Sequence, residues 1–255
     1  MIPAAHQTMM GPQGGPTTLD YVQTGLVGMW DGIENAGRGV HDATASSWAD
    51  LSGNGYSLTY SGDSSAKTWD ADCFRFVTTV SLASTSPTFL SAATNILSGL
   101  SAVSFSICLD IGQTTNFGAP AGFRKDSNNN RFLWYRQTDG RLDPVVSTAS
   151  SGTRHLDSTT PYTKDTTKEE TITIDSSGNI VFYINGSKYS TSSISDFSTI
   201  AGMGSALGLN REGSKGYSGV AGTWKLMNLR LYNRALSAAE VSANYAIDKV
   251  RFNLP

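Results

Sequence analysis

Glu170-Thr171-Ile172-Thr173-Ile174 runs into the loop Asp175-Ser176-Ser177-Gly178-Asn179, and Ile180-Val181-Phe182-Tyr183-Ile184 then turns through Asn185-Gly186 into Ser187-Lys188-Tyr189-Ser190. Apolar residues recur at alternate positions in these runs, the period of a strand with one buried face. Asn-Gly between two such runs predicts a two-residue hairpin, because both central residues of a type I′ turn take positive φ. Successive antiparallel strands are therefore expected from this stretch.

The same period recurs on both sides of it. Ala102 to Ile111 puts Val103, Phe105, Ile107 and Leu109 on one face and Ser104, Ser106 and Cys108 on the other. Gly25 to Trp30, Cys73 to Val77, Arg131 to Gln137, Ala206 to Asn210 and Gly222 to Tyr232 complete the predicted strands, with Leu229 and Leu231 facing the interior. One helix stands apart. Ser237-Ala238-Ala239-Glu240 reads as a capping box, with Leu236 and Val241 placed as its hydrophobic staple, and the helix is predicted to run to about Ile247. The chain holds 33 Ser, 27 Thr and 26 Gly but only 5 Glu, a strand-and-turn composition. Many short strands followed by a single late helix imply an all-β fold, a two-sheet sandwich or jelly roll.

The 255 residues suit one large all-β domain or two small ones. With 19 Lys+Arg against 21 Asp+Glu the net charge is −2, so no broad positive field exists to condense on phosphates and nucleic acid is not expected as a partner. No apolar run approaches a bilayer span. Cys73 and Cys108 have no partner at metal-ligand spacing; a buried free thiol is the preferred reading of Cys108, with one disulfide left open. Gly11-Pro12-Gln13-Gly14-Gly15-Pro16 resists helix and central strand alike. Residues 1–24 are therefore read as an arm or tether and 25–255 as the domain. No Lys or Arg precedes Arg38, and no apolar core of about seven residues is seen near the N-terminus, so no secretory signal is read.

Trp48-Ala49-Asp50-Leu51-Ser52-Gly53-Asn54-Gly55 and the closing run from Leu226 through Asn233-Arg234-Ala235-Leu236-Ser237 to Val241 resemble the two ends of laminin-G-like, concanavalin A-like lectin/glucanase domains. The Ile180–Gly186 hairpin resembles that family's strand-Asn-Gly-strand element. Trp30-Asp31-Gly32-Ile33-Glu34-Asn35-Ala36-Gly37-Arg38-Gly39-Val40-His41-Asp42 looks like the variety found in proteins of gut bacteria and their phages. The resemblance implies a jelly roll of two curved antiparallel sheets with one short C-terminal helix, whose rim loops or concave face usually bind glycans or proteins. A surface-type fold without export information suits a virion component released by lysis.

Family members often hold calcium near the loop matched by Asp50, Ser52 and Asn54. Those side chains could offer oxygens to a hard cation. Against this, Ser61 stands where an EF-hand loop needs a bidentate Glu, and Met227 and Asn228 stand where the family has paired aspartates. An Asx-type turn whose side chains satisfy local amides is the preferred reading. Hydrolase members carry Glu-x-Asp-x-x-Glu on one strand, and no such motif occurs. Glu169 and Glu170 are adjacent, so on a strand they point to opposite faces. Glu34, Glu212 and Glu240 are isolated, and the histidines His6, His41 and His155 suggest no nucleophilic site. Hydrolysis is thus the least favoured function.

Sugar binding needs an apolar face and planar hydrogen-bonding groups. Trp134 and Arg136 share one face of a strand, with Tyr135 on the other, and Trp48, Tyr56, Asn210, Arg211 and Tyr217 fall in rim segments; these are the candidate ligand contacts, although most of the five Trp must fill the core. The expected function is a non-catalytic, multivalent, lectin-like module for adhesion, displayed on a phage virion or bacterial surface and binding surface glycan or polysaccharide. Its rival is a structural decoration protein held to a capsid or tail protein through residues 1–20, binding no glycan. A homo-oligomer fits either reading.

Overall fold

The structure, a computed structural model, describes residues 15–78, 88–91, 96–112, 119–124, 130–136, 142–156, 166–196, 206–210 and 222–255. Alternating sequences build two antiparallel sheets. The first contains β1 (Leu26–Asp31), β4 (Phe74–Thr78), β6 (Val103–Asp110), β11 (Lys168–Ile174), β12 (Asn179–Ile184), β13 (Ser187–Ser193) and β15 (Gly222–Tyr232). Its order is β1-β15-β6-β11-β12-β13, with β4 also pairing with β15. The second contains β2 (Ser47–Trp48), β3 (Leu58–Ser61), β5 (Thr88–Ser91), β7 (Ala121–Arg124), β8 (Arg131–Arg136), β9 (Leu142–Thr148), β10 (Gly152–His155) and β14 (Gly208–Leu209), in the order β10-β9-β8-β7-β14-β5-β3-β2. This is the jelly-roll sandwich with one C-terminal helix that the alternation and the single capping box imply.

The Asn185-Gly186 turn joins β12 to β13 with φ of 49° and 71°, as the I′ reading requires. Phe105, Ile107, Ile172, Leu229 and Leu231 face inward from the seven-stranded sheet and meet Phe89, Phe123, Phe132, Trp134 and Leu209 from the eight-stranded one. All five Trp are buried. Trp48 meets Trp69 edge-on at 5.0 Å between centroids, and Phe76 stacks on Trp224 at 4.0 Å, geometries that favour aromatic pairs beyond their area alone.

The other face of the seven-stranded sheet is also covered, which alternation does not predict. Ser104, Ser106, Cys108, Glu169, Thr171 and Arg230 lie on that face and are buried, because helix α1 (Ala238–Arg251) and the segment before β1 pack over it. Ser237 caps α1 as expected: its Oγ accepts from the Glu240 amide, and the Glu240 carboxylate accepts from the Ser237 amide. Arg234 clamps Glu240 at 2.6 and 2.9 Å and, with the cap bonds, holds its carboxyl down at about 2. Leu236 and Val241 are buried in one cluster, as a staple. The helix continues past Ile247 to Arg251, and in the last turn the Phe252 amide donates to the Asp248 carbonyl.

Polar groups between helix and sheet are cross-linked. Arg230, fully buried, donates to Asp248 through both terminal nitrogens at 2.8 and 2.6 Å. The Tyr21 hydroxyl donates to the same carboxylate at 2.7 Å, and the Arg230 guanidinium lies 4.2 Å from the Tyr21 ring centroid. Beside them Arg251 donates to Asp31 at 2.9 Å and to the Pro16 carbonyl at 3.1 Å, and Thr18 donates to Glu34.

These contacts tie the segment before β1 to the sandwich. Residues 1–14 lie outside the described residues, but 15–24 do not behave as an arm: Thr18 and Tyr21 are 2% exposed and close the sheet as β1 does. Gly-Pro content marks residues 11–16 and says nothing of the Thr18–Tyr21 anchor, so removing residues 1–20 is expected to destabilise the domain. Tyr21→Phe is expected to cost about 1.5–3 kcal/mol, since it removes a hydrogen bond to a buried carboxylate; urea unfolding measures it, and an unchanged midpoint would show the anchor idle. Cys73 and Cys108 are both free and buried beside Met227, Phe252 and Leu254, where desolvation raises both thiols.

Candidate functional site

The phase of β8 decides which side chains the second sheet presents. Phe132 and Trp134 point into the core, so Arg131, Leu133 and Tyr135 lie on the outer face. In β9, Leu142 and Val146 point inward, leaving Asp143, Val145 and Ser147 outward. Register then places Arg124 of β7 opposite Arg131, and Thr153 and His155 of β10 opposite Ser147 and Val145. Gly122 sits opposite Leu133, and a Cβ there would lie 2.2 Å from the Leu133 Cβ, so this position takes only glycine.

Most of these outward-phased side chains are themselves covered, and Asp143, Val145, Ser147 and Leu133 are all buried. Leu133 and Val145 are 0% and 2% exposed. Around them stand Arg131, Tyr135 and Thr153, each half-buried, and His155, which is exposed. The His155 Nδ1 lies 2.5 Å from the Asp143 Oδ2, pairing an imidazole that is 55% exposed with a carboxylate that is 4% exposed. A buried carboxylate fixes the ring orientation and leaves Nε2 for a solute. The Ser147 and Thr153 hydroxyls lie 3.2 Å apart. The guanidinium, phenol, hydroxyl and imidazole of Arg131, Tyr135, Thr153 and His155 are the groups of this face that a solute can reach, while Leu133 and Val145 lie sealed beneath them.

Of the residues expected to contact ligand, Trp134 and Trp48 are corrected: both are fully buried. Trp134 donates its indole N–H to Glu170 at 2.9 Å inside the sandwich, and Trp48 donates to the Asp31 carbonyl at 3.0 Å. The pairing of Trp134 with Arg136 on one face used the right period with the wrong side outward. The backbone of Arg136 pairs with Leu142, and its side chain lies outside the described residues. Tyr56 packs half-buried against the core, its amide donating to Asp50. Asn210 is buried at φ 55°, its amide donating to the Pro120 carbonyl. Arg211 and Tyr217 lie outside the described residues.

Asp50, Ser52 and Asn54 come together, held by local donors. Asp50 Oδ1 accepts from the Met29 and Ser52 amides at 3.0 and 2.9 Å, and Oδ2 from the Tyr56 amide at 2.9 Å. Asn54 turns its Nδ2 to the Val27 carbonyl at 2.9 Å. This is an Asx-type turn pinned to β1. Met227 sits in an apolar cluster, and Asn228 donates to Asp248 at 2.6 Å. Among the described residues no three His, Cys, Asp or Glu side chains gather as a metal site.

The adjacent glutamates separate as strand geometry demands. Glu170 faces the core beside Trp134, its carboxyl pushed up to about 8 chiefly by burial. Glu169 faces the helix side, 3.9 Å from Arg230, and burial raises it to about 7. Arg131, Tyr135, Asp143 and His155 escaped the sequence reading. The bulk of Phe132 and Trp134 was the available signal, since the heavier apolar set of an alternating strand faces the core; the pairing of Asp143 with His155 across two strands had none.

A family model described as the Concanavalin A-like lectin/glucanases superfamily matches residues 83–242. No curated protein matches the chain. Among solved structures, the chain is similar to the receptor binding domain of a botulinum neurotoxin C/D mosaic serotype, with TM-score 0.62, 13% identity, 88% of this chain and 52% of that one covered. It is similar to a botulinum neurotoxin type C structure, whose cell entry is described as dependent upon interaction with two ganglioside molecules, with TM-score 0.61, 12% identity, 87% and 51% covered. A mutant of Trypanosoma rangeli sialidase displaying trans-sialidase activity matches with TM-score 0.63, 13% identity, 89% and 33% covered. The chain thus spans about half the length of the toxin domains and a third of the sialidase, and at these identities the likeness is one of fold. No helix among the described residues is long and apolar enough to cross a membrane. With the family match extending over more than half of the sequence and the two-sheet sandwich agreeing with it, the chain belongs to the Concanavalin A-like lectin/glucanases superfamily.

Proposed function

We propose that this protein is a non-catalytic glycan-binding module displayed on a virion or bacterial surface, and that it binds through the outer face of β8, β9 and β10. The observation that supports this reading is the group of polar side chains that reach the surface there, Arg131, Tyr135, Thr153 and His155. Its place on the fold supports display. The Pro16–Tyr21 segment docks on the opposite face of the sandwich, against α1, so attachment through residues 1–14 would leave the patch free. A few hydrogen bonds and one ring bind a sugar weakly, and many copies supply strength. Glu169 and Glu170, turned to opposite faces, give no support to a paired-carboxylate hydrolase.

A glycan array probed with multivalent protein tests the reading. Tyr135→Ala is expected to weaken the signal about tenfold or more while leaving the unfolding midpoint near that of the parent. Calcium does not enter the proposal, so the pattern should be the same in calcium and in EDTA. No signal on any host-derived polysaccharide would favour a decoration protein held through its N-terminal residues.

A further inference from the structure

We propose that the seam between α1 and the seven-stranded sheet is a pH-sensitive clasp: while Asp31 and Glu169 hold protons, α1 and the segment before β1 stay seated, and when the two acids ionise this lid loosens ahead of the rest of the sandwich. Register brings the groups together. Asp31 of β1 is the Cα partner of Asn228 of β15, Asn228 of Cys108 of β6, and Cys108 of Glu169 of β11, so the four side chains form one row across the sheet on its helix side. All four residues are at most 1% exposed. Three of them carry an oxygen with no hydrogen-bond partner: Asp31 Oδ2, Asn228 Oδ1 and Glu169 Oε2. A buried acceptor without a donor is costly, and more so on a charged group. Asn228 does not help by turning its amide round, because its Nδ2 already donates to Asp248 at 2.6 Å. A proton on Asp31 supplies the donor that the rung of Asp31 and Asn228 lacks, and a proton on Glu169 takes the charge off an oxygen whose rung neighbour is only a thiol.

The groups around the two acids leave that need in place. Asp31 faces Arg251 of α1 at 2.9 Å and Glu34 from the loop after β1, and Tyr21 of the N-terminal segment lies within reach of its charge. Glu169 faces Arg230 of β15 at 3.9 Å, Asp248 and Tyr245 of α1, Cys108 of β6, the Thr171 hydroxyl of its own strand and the Gly186 amide. Among the described residues, four carboxyl groups on this side of the sheet, those of Asp31, Glu34, Asp248 and Glu169, thus share the covered guanidiniums of Arg230 and Arg251, and Asp248 takes both terminal nitrogens of Arg230. Burial is the largest influence on either acid and raises Asp31 to about 6 and Glu169 to about 7. An open lid returns both to water and to their ordinary values of 3.8 and 4.5, so the closed state holds protons more tightly and its advantage shrinks as pH rises from about 4 to about 7. The contacts at stake are the ones that seat the lid: Arg251 on Asp31 and on the Pro16 carbonyl, and Tyr21 on Asp248.

Hydrogen exchange on the full-length protein reads the lid against the sheet. Glu170→Gln is the background, because it removes the larger pH effect on the whole fold and lies on the core face beside Trp134, away from α1. Each amide rate is divided by the intrinsic rate at that pH. From pH 5 to pH 8 the protection of α1 amides is expected to fall about tenfold or more beyond any fall in β6 and β12. Asp31→Asn with Glu169→Gln, added to that background, keeps an oxygen for each present donor and puts an amide N–H where each proton would sit. Its α1 protection should stay level from pH 5 to pH 8 and exceed that of the background at pH 8. If α1 and β6 lose protection in step, or α1 loses none, the lid does not open on its own and the clasp is overturned. A loss in α1 that survives both substitutions overturns the assignment to Asp31 and Glu169.

Discussion

Asp248→Ala is expected to lower folding stability by about 3–5 kcal/mol, the cost typical of breaking a buried ion pair and leaving one charge unmatched. The geometry puts this position near the top of that range. Asp248 accepts two hydrogen bonds from Arg230 and further ones from Tyr21 and Asn228, and it is fully buried. Removing it leaves Arg230, fully buried, without its two-point partner and with Glu169 3.9 Å away. A large drop in the urea midpoint is the expected reading. The double variant Arg230→Met, Asp248→Leu should recover much of the loss, because the penalty belongs to the stranded charge and not to the absent pair. A single variant within about 0.5 kcal/mol of the parent would mean that the helix and N-terminal segment are not held through this pair.

The fold was legible where alternation was clean. Val103 to Leu109, Ile172 to Ile174, Ile180 to Ile184 and Leu229 to Leu231 carry apolar residues at every second position, and each lies where that period puts it. Strands β2, β3, β5, β7, β9 and β10 were not read. One of them, β2, is only a pair of residues, and Pro144 interrupts β9 where the ladder would expect a donor. The burial of Ser104, Ser106 and Thr171 could not be foreseen either. Period two says which side chains share a face, not whether a helix and a distant segment will later cover it. The helix itself was found through its cap, a local signal, whereas its role as a lid on Arg230 depends on Asp248, Asn228 and Tyr21, far apart in sequence. The candidate patch was hidden for the same reason. Aromatic residues were weighed as sugar platforms, but Trp134 has the size and apolar surface that the core claims first, and Tyr135 beside it is what remains outside.

The pH dependence of stability should be set chiefly by Glu170, and Glu170→Gln should remove most of it. In the folded chain the Glu170 carboxyl is pushed up to about 8 by burial, offset only partly by the Trp134 N–H and by Lys168, against an ordinary value of 4.5. Below about 4.5 the group is protonated in both folded and unfolded chains and contributes nothing to the difference. Between 4.5 and about 8 the folded chain keeps a proton that the unfolded chain releases, so stability falls as pH rises, and above about 8 it levels off. At 1.36 kcal/mol per unit, the full excursion is on the order of 5 kcal/mol. Glu169, raised to about 7, and Asp31, raised to about 6, act with the same sign, so the variant should keep a shallower decline that ends earlier. Glutamine preserves an oxygen for the Trp134 indole and never ionises, so its curve should lie above that of the parent at pH 8 and close to it at pH 5. Urea unfolding at pH 5, 6, 7, 8 and 9 measures both curves. A parent whose midpoint is flat across that range would show that Glu170 reaches solvent or a cation when it ionises, and the sealed interior between Trp134 and Phe105 would have to be redrawn.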